Sequence, residues 1–213
     1  MSLPYLRHFF ANQFAKVPEL NHSFAGQTII VTGSNTGLGY ESAKHYLLLG
    51  ASRIILAVRN LDKGNAAKVK LEAATGKTGI LEVWSLDMSS YTSIQEFVNK
   101  AEKNLDRIDV LLENAGMLST KWQVSVEGTE MGMAVNVYGT IFLALLMIPV
   151  LRASARKHNI TPVVTIVGSE AHHLHSIKQA VNSGDPLAYW DDEKKYDRLS
   201  RYLLSFSLLG WEI

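Results

Sequence analysis

Five short apolar runs punctuate the chain at Thr28–Thr32, Arg53–Val58, Leu81–Leu86, Val110–Glu113 and Val163–Val167. Each is nearly continuous in Val, Ile or Leu, the pattern of strands covered on both faces. Between them lie longer stretches of helical pattern at Tyr40–Leu49, Asp62–Ala74, Thr92–Leu105 and Val135–Arg156. Gly50 fits a C-terminal cap on the first, and Thr92 with Gln95 fits a capping box opening the third. Strand–helix alternation of this kind predicts an α/β fold, a doubly wound parallel sheet with right-handed crossovers. Ligands of such sheets bind at the C-terminal ends of the strands. The polar segment from His172 to Arg201 breaks the rhythm. It holds Gly184-Asp185-Pro186 and Asp191-Asp192-Glu193-Lys194-Lys195 and reads as a loop excursion, either simply solvated or placed at the ligand edge.

With 213 residues the chain is expected to form a single domain over 1–213, with an N-terminal arm over 1–24. A formal net charge of +1 gives no electrostatic drive toward nucleic acid or anionic membrane. The absence of cysteine excludes disulfides. The start carries Phe9, Phe10 and Phe14 but not the continuous apolar core of a signal peptide. It is read either as a membrane or partner contact or as an amphipathic segment lying against the domain. The run from Thr140 to Leu151 is shorter than the ~20 residues a bilayer requires. No membrane span is therefore expected, and the cytoplasm is the expected location.

The chemistry begins at Thr32-Gly33-Ser34-Asn35-Thr36-Gly37-Leu38-Gly39, where a strand turns into a helix. Gly33, Gly37 and Gly39 allow a tight turn and close approach of a pyrophosphate, and the helix start offers free N–H groups and a positive dipole end. Such a turn binds a dinucleotide or is merely structural. The second strand ends in Arg59-Asn60, where NAD-binding proteins usually carry an acid for the ribose 2′-hydroxyl. A guanidinium there suits a 2′-phosphate and favours NADP, unless Arg59 is only a surface residue. Lys63 either assists or is a solvated first-turn residue. Ser169 follows the last strand, where a hydroxyl either polarises a carbonyl oxygen in the cleft or caps the next loop. His172, His173 and His175 lack the i, i+4 presentation of a helical metal site, so no metal is expected.

In these blocks the chain resembles the short-chain dehydrogenase/reductase superfamily, most of all its retinol-dehydrogenase-like and fungal secondary-metabolism reductases. The matching blocks are Thr32-Gly33-x-x-x-Gly37-Leu38-Gly39, Leu86-Asp87-Met88, Glu113-Asn114-Ala115-Gly116, Val135-Asn136-Val137 and Ile166-Val167-Gly168-Ser169. The resemblance implies an NADP-dependent oxidoreductase of a small carbonyl or secondary-alcohol substrate. It implies a cofactor site of Gly33, Asn35, Gly37, Leu38, Gly39, Arg59, Lys63, Asp87, Asn114 and Tyr202, with Asp87 on the adenine and Asn114 supporting the cofactor and the central strand. It assigns Ser169 to the substrate oxygen, Tyr202 to acid/base work and Asn136 to holding a relay water. It also implies that the apolar helix from Val135 to Leu151 packs across a homodimer interface; burial within one subunit is the alternative.

One position departs from the pattern. The family places Lys four residues after its Tyr, where the ammonium favours the phenolate and grips the nicotinamide ribose. Here Tyr202 is followed at that spacing by Phe206. Relatives also continue beyond the Tyr helix with further strands, so the chain reads as a C-terminally truncated family member, its sheet lacking those strands. The alternative to an active reductase is a catalytically inactive relative that binds cofactor or a partner.

Overall fold

In the computed structural model the described residues are 14, 16, 22–169, 178–199 and 202. Phe9, Phe10, the three histidines and Phe206 lie outside them. The elements in order are β1 (Thr28–Thr32), α1 (Gly37–Leu48), β2 (Arg53–Val58), α2 (Leu61–Thr75), β3 (Leu81–Ser85), α3 (Tyr91–Asn104), β4 (Val110–Glu113), α4 (Met131–His158) and β5 (Val163–Ile166). All pairings between the described strands are parallel, and the strands lie in the order β3-β2-β1-β4-β5. The chain therefore reverses its winding between β1 and β4. That crevice is the topological switch point of a doubly wound sheet.

Side-chain alternation along the strands divides the core. Ile30, Ile55 and Leu111 face α3 and α4, where Phe97, Leu143 and Met147 meet them. Ile29, Ile54 and Leu112 face α1 and α2, where Leu47 and Leu71 close the second layer. This is the both-faces-covered arrangement that continuous apolar strands require. It holds throughout β1, but all four residues of β5 are exposed. The described segment that follows packs elsewhere: Ala180 and Trp190 cluster with Met133 and Val137 of α4.

Local chemistry sets several boundaries differently from the sequence pattern. The cap of α3 is Ser90, whose hydroxyl accepts from Ser93 N; no Thr92–Gln95 box opens the helix. Gly50, at φ +90°, closes the C-terminal turn of α1 as expected. α4 begins before Val135 because the Glu130 carboxylate accepts from the amides of Gly132 and Met133. Within α4, residues Ala134–Gly139 form a π-helical turn. The segment read as a loop over 172–201 contains short helices α5 (Lys178–Asn182) and α6 (Pro186–Trp190) and a 3₁₀ turn, Glu193–Lys195. The Asp185 side chain caps α6, with Pro186 at its first position. By length and composition α4 is long and apolar enough to cross a bilayer, which the shorter run Thr140–Leu151 did not indicate. More than half of its apolar window is buried in this fold, as in a core helix.

Gly139 is where α4 touches the loop after β3. A Cβ there would run into the Met88 carbonyl oxygen, and would lie 3.0 Å from the Ala134 oxygen. Both obstacles are backbone and cannot turn aside. Gly139→Ala is therefore expected to lower stability by about 1–3 kcal/mol, outweighing its gain of ~1 kcal/mol in helix propensity. Urea unfolding of the two proteins measures the difference.

Candidate functional site

The site is built where β1 and β4 end. Thr32 Oγ1 accepts from the amides of Asn114 and Ala115 at 3.0 and 2.9 Å. The Asn114 side chain returns the contact, its Nδ2 donating to the Thr32 carbonyl at 3.0 Å. The two post-strand turns are thus locked together with their backbones in contact. A Cβ on Gly33 would sit 2.8 Å from Ala115 Cα, and one on Gly39 would meet Asn114 Nδ2 and lie 2.7 Å from the Gly33 oxygen. Gly37, at φ +60°, differs: nothing lies within 4 Å of where its Cβ would be. The space before α1 is open there. Thr36 makes no side-chain cap, and the first turn holds no acidic residue. The amides at that helix start are left for an anion.

Two clefts open along this edge, each of about 350 Å³. The first is lined by Asn35, Arg59, Lys63, Asp87 and Asn114. Arg59 and Lys63 are exposed at its mouth, and neither forms an ion pair among the described residues. Asn60 between them caps α2, its Oδ1 accepting from Lys63 N at 2.9 Å. Asp87 is held by Ser89, whose amide and hydroxyl donate to Oδ1, and by Ser93, whose hydroxyl accepts from the Asp87 amide.

The second cleft is lined by Leu38, Glu113, Asn136, Thr140, Ser169 and Tyr202. Residues Asn114 to Met117 line both clefts, so the two halves meet along the segment after β4. Asn136 sits in the π-helical turn and is buried. Its side chain grips that segment: Nδ2 donates to the Met117 carbonyl at 2.9 Å and Oδ1 accepts from Met117 N at 2.8 Å. The amide therefore fixes the partition between the clefts. Tyr196 supports the wall beyond, donating to the Ser119 carbonyl at 3.1 Å and packing edge-on against Trp122.

The model of the short chain dehydrogenase family matches residues 27–181. The chain belongs to that family. It is 36% identical over 192 residues to short chain dehydrogenase/reductase dmxR8 of Cryptosporiopsis, covering 89% of this chain and 59% of the relative. It is 39% identical to short chain dehydrogenase FGM9 of Gibberella zeae, covering 92% and 57%. Among solved structures, an uncharacterised protein of Mycobacterium paratuberculosis superposes with a TM-score of 0.66 at 28% identity, over 87% of this chain and 59% of that one. The chain thus spans a little over half the length of these relatives. Members of this oxidoreductase family use nicotinamide cofactors, and the cradle at Gly33, Gly37 and Gly39 fits a dinucleotide phosphate.

The residues singled out from sequence fall into this frame. Asn35, Arg59, Lys63, Asp87 and Asn114 share the first cleft with Gly33; Leu38, Asn136, Ser169 and Tyr202 share the second with Asn114; Gly37 and Gly39 shape the turn. Two further residues carry the site. Thr32 is the acceptor that locks the turns, and its signal was a polar residue closing an apolar strand just before glycine. Glu113 stands in the Glu-Asn-Ala-Gly block, where its charge passed as part of the motif. It is 2% exposed, and both carboxyl oxygens are buried with no hydrogen-bond partner among the described residues. Burial pushes its pKa from 4.5 up to about 8.

Thr32→Val keeps the shape and removes the acceptor of two amides. A loss of about 1–3 kcal/mol in stability is expected from the unsatisfied groups, and a smaller one from Thr32→Ser. Denaturant melts of the two variants separate them.

Glu113 makes stability fall as pH rises. Between pH 4.5 and about 8 the folded state holds a proton that the unfolded chain has released. Stability is highest below the lower value and is lost up to the higher one, by at most about 5 kcal/mol. Glu113→Gln is expected to flatten this part of the profile, measured as melting temperature from about pH 5 to about pH 9.

Proposed function

We propose that the chain carries the cofactor-binding half and the reaction edge of an NADP-dependent short-chain oxidoreductase, interconverting a carbonyl and a secondary alcohol. The observation that carries this reading is the meeting of the two clefts at Asn114–Met117, a basic one beside a glycine cradle and one lined by Ser169 and Tyr202. Arg59 takes the 2′-phosphate through paired charge-assisted bonds, with Lys63 adding charge, and this sets NADP above NAD. Asp87 receives the adenine amino group, held for it by Ser89 and Ser93. Asn35, Leu38 and the glycine turn hold the pyrophosphate.

The bound nicotinamide supplies or accepts the hydride. Ser169 donates to the substrate oxygen and orients it, while Tyr202 moves the proton to or from that oxygen. Asn136 keeps the Met117 segment in register and steadies the relay beside it. The substrate class is a small carbonyl compound or alcohol, with a fungal secondary metabolite favoured by the fungal relatives and the cytoplasm as the setting. Nucleic acid has no place in this reading. Ile141, Leu145 and Ile148 form an exposed apolar stripe along α4, which supports a homodimer through that helix.

A second reading is favoured by one residue. Phe206 stands where the family carries Lys, and a phenyl ring neither charges the Tyr202 site nor grips a ribose. On that reading the chain binds cofactor without turnover. NADPH titration followed by NADPH oxidation with a panel of ketones separates the two: oxidation supports the enzyme, binding alone supports the inactive relative, and absence of both overturns both.

Arg59→Ala is expected to weaken NADPH binding about tenfold or more while leaving NADH binding within about twofold. Calorimetric titration of both cofactors checks it, and equal losses would remove Arg59 from the 2′-phosphate.

A further inference from the structure

Glu113 is used by neither the cofactor cradle nor the proton transfer described above, yet it is the most unusual group at the site. Its side chain leaves β4 on the face shared with Leu111, toward α4, because alternate residues of a strand point the same way. It lines the second cleft with Asn136 and Thr140 from α4, Ile166 from β5 and Val167 just after it. Its carboxyl oxygens are shielded from solvent and take no hydrogen bond among the described residues. Among the described residues the only other titratable group lining this cleft is the Tyr202 phenol, and no Lys, Arg or His lines it. A buried carboxyl with no cation and no donor beside it holds its proton. It gives that proton up when a positive charge is placed within about 6 Å.

We propose that Glu113 is a proton-linked charge partner for the oxidised nicotinamide, making the cleft discriminate between the two redox forms of the cofactor. This rests on the reading of the second cleft as the nicotinamide side. The reduced ring is uncharged and leaves the Glu113 proton in place. The oxidised ring is a cation and favours the carboxylate, so Glu113 releases its proton to solvent when the oxidised form binds. No bond other than this O–H is broken. Glu113 thereby shifts the preference of the site toward the oxidised form as pH rises. Adenine-side groups, including the 2′-phosphate, titrate alike with both forms and cancel from the ratio of affinities.

The test is calorimetric titration of the whole chain with NADP⁺ and with NADPH from about pH 6 to about pH 9, each in two buffers of different ionisation enthalpy. Binding of NADP⁺ near neutral pH is expected to release roughly half a proton or more, and binding of NADPH almost none. The ratio of NADP⁺ to NADPH affinity is expected to rise about tenfold over that range. Glu113→Gln should bind both forms with a pH-independent ratio, whereas Tyr202→Phe should keep the rise. A flat ratio in the unaltered chain, or a rise that survives in Glu113→Gln, overturns the inference and leaves the cofactor reading standing. Binding of neither form overturns the cofactor reading and this inference with it. If Glu113→Gln does not fold, the unaltered chain's proton release and its persistence in Tyr202→Phe decide the matter.

Discussion

The pairing of β1 with β4 is the constraint on which the rest of the structure depends. It joins the two halves of the sheet across the point where the winding reverses, and its ladder spans only Ile29 to Val31 against Val110 to Leu112. Side chains secure it at both ends. Below, Asp109 accepts from Thr28 N at 2.8 Å and is itself clasped by Arg107. Above, Thr32 and Asn114 exchange hydrogen bonds between the turns. Charge-assisted contact at one end and a shared hydroxyl at the other keep a short ladder in register.

That upper lock makes the site possible. By drawing the turns into backbone contact it excludes any side chain at Gly33 and Gly39, so the loop has one shape. At Gly37, the first residue of α1, the space is open instead. The binding surface is therefore a by-product of how the sheet is fastened at its switch point. Asn136 extends the fastening to α4 through Met117, and Gly139 lets the same helix rest on the loop that carries Asp87. A single π-helical turn, Ala134–Gly139, carries both contacts, where a regular helix would have to satisfy them with a different spacing.

The fold was legible in the sequence because continuous apolar strands have few alternatives. β1, β2 and β4 fall where the pattern set them, since burial on both faces leaves no freedom of register. The cradle was legible for the same reason: glycines after a buried strand have a steric cause. What escaped depends on contacts between distant segments. Glu130 is not a favoured cap, and only the folded chain shows it closing the first amides of α4. The helices within 178–190 are short and gain their stability from Trp190 and Ala180 packing on α4, a contact no local pattern encodes. Glu113 was invisible as a site residue because its peculiarity is an absence of partners among the described residues, which only a structure reveals.

The coverage of the sheet is uneven in a way that bears on function. β1 is buried throughout and β2 nearly so, and the cradle and basic cleft stand on them. β5 is exposed along its length, and Ser169 follows it. Among the described residues the first cleft therefore stands on the most buried strands and the second on the least covered one. Glu113 lies at the junction between them, buried with the last residues of β4 and lining the second cleft, and the proposed charge partnership rests on that position.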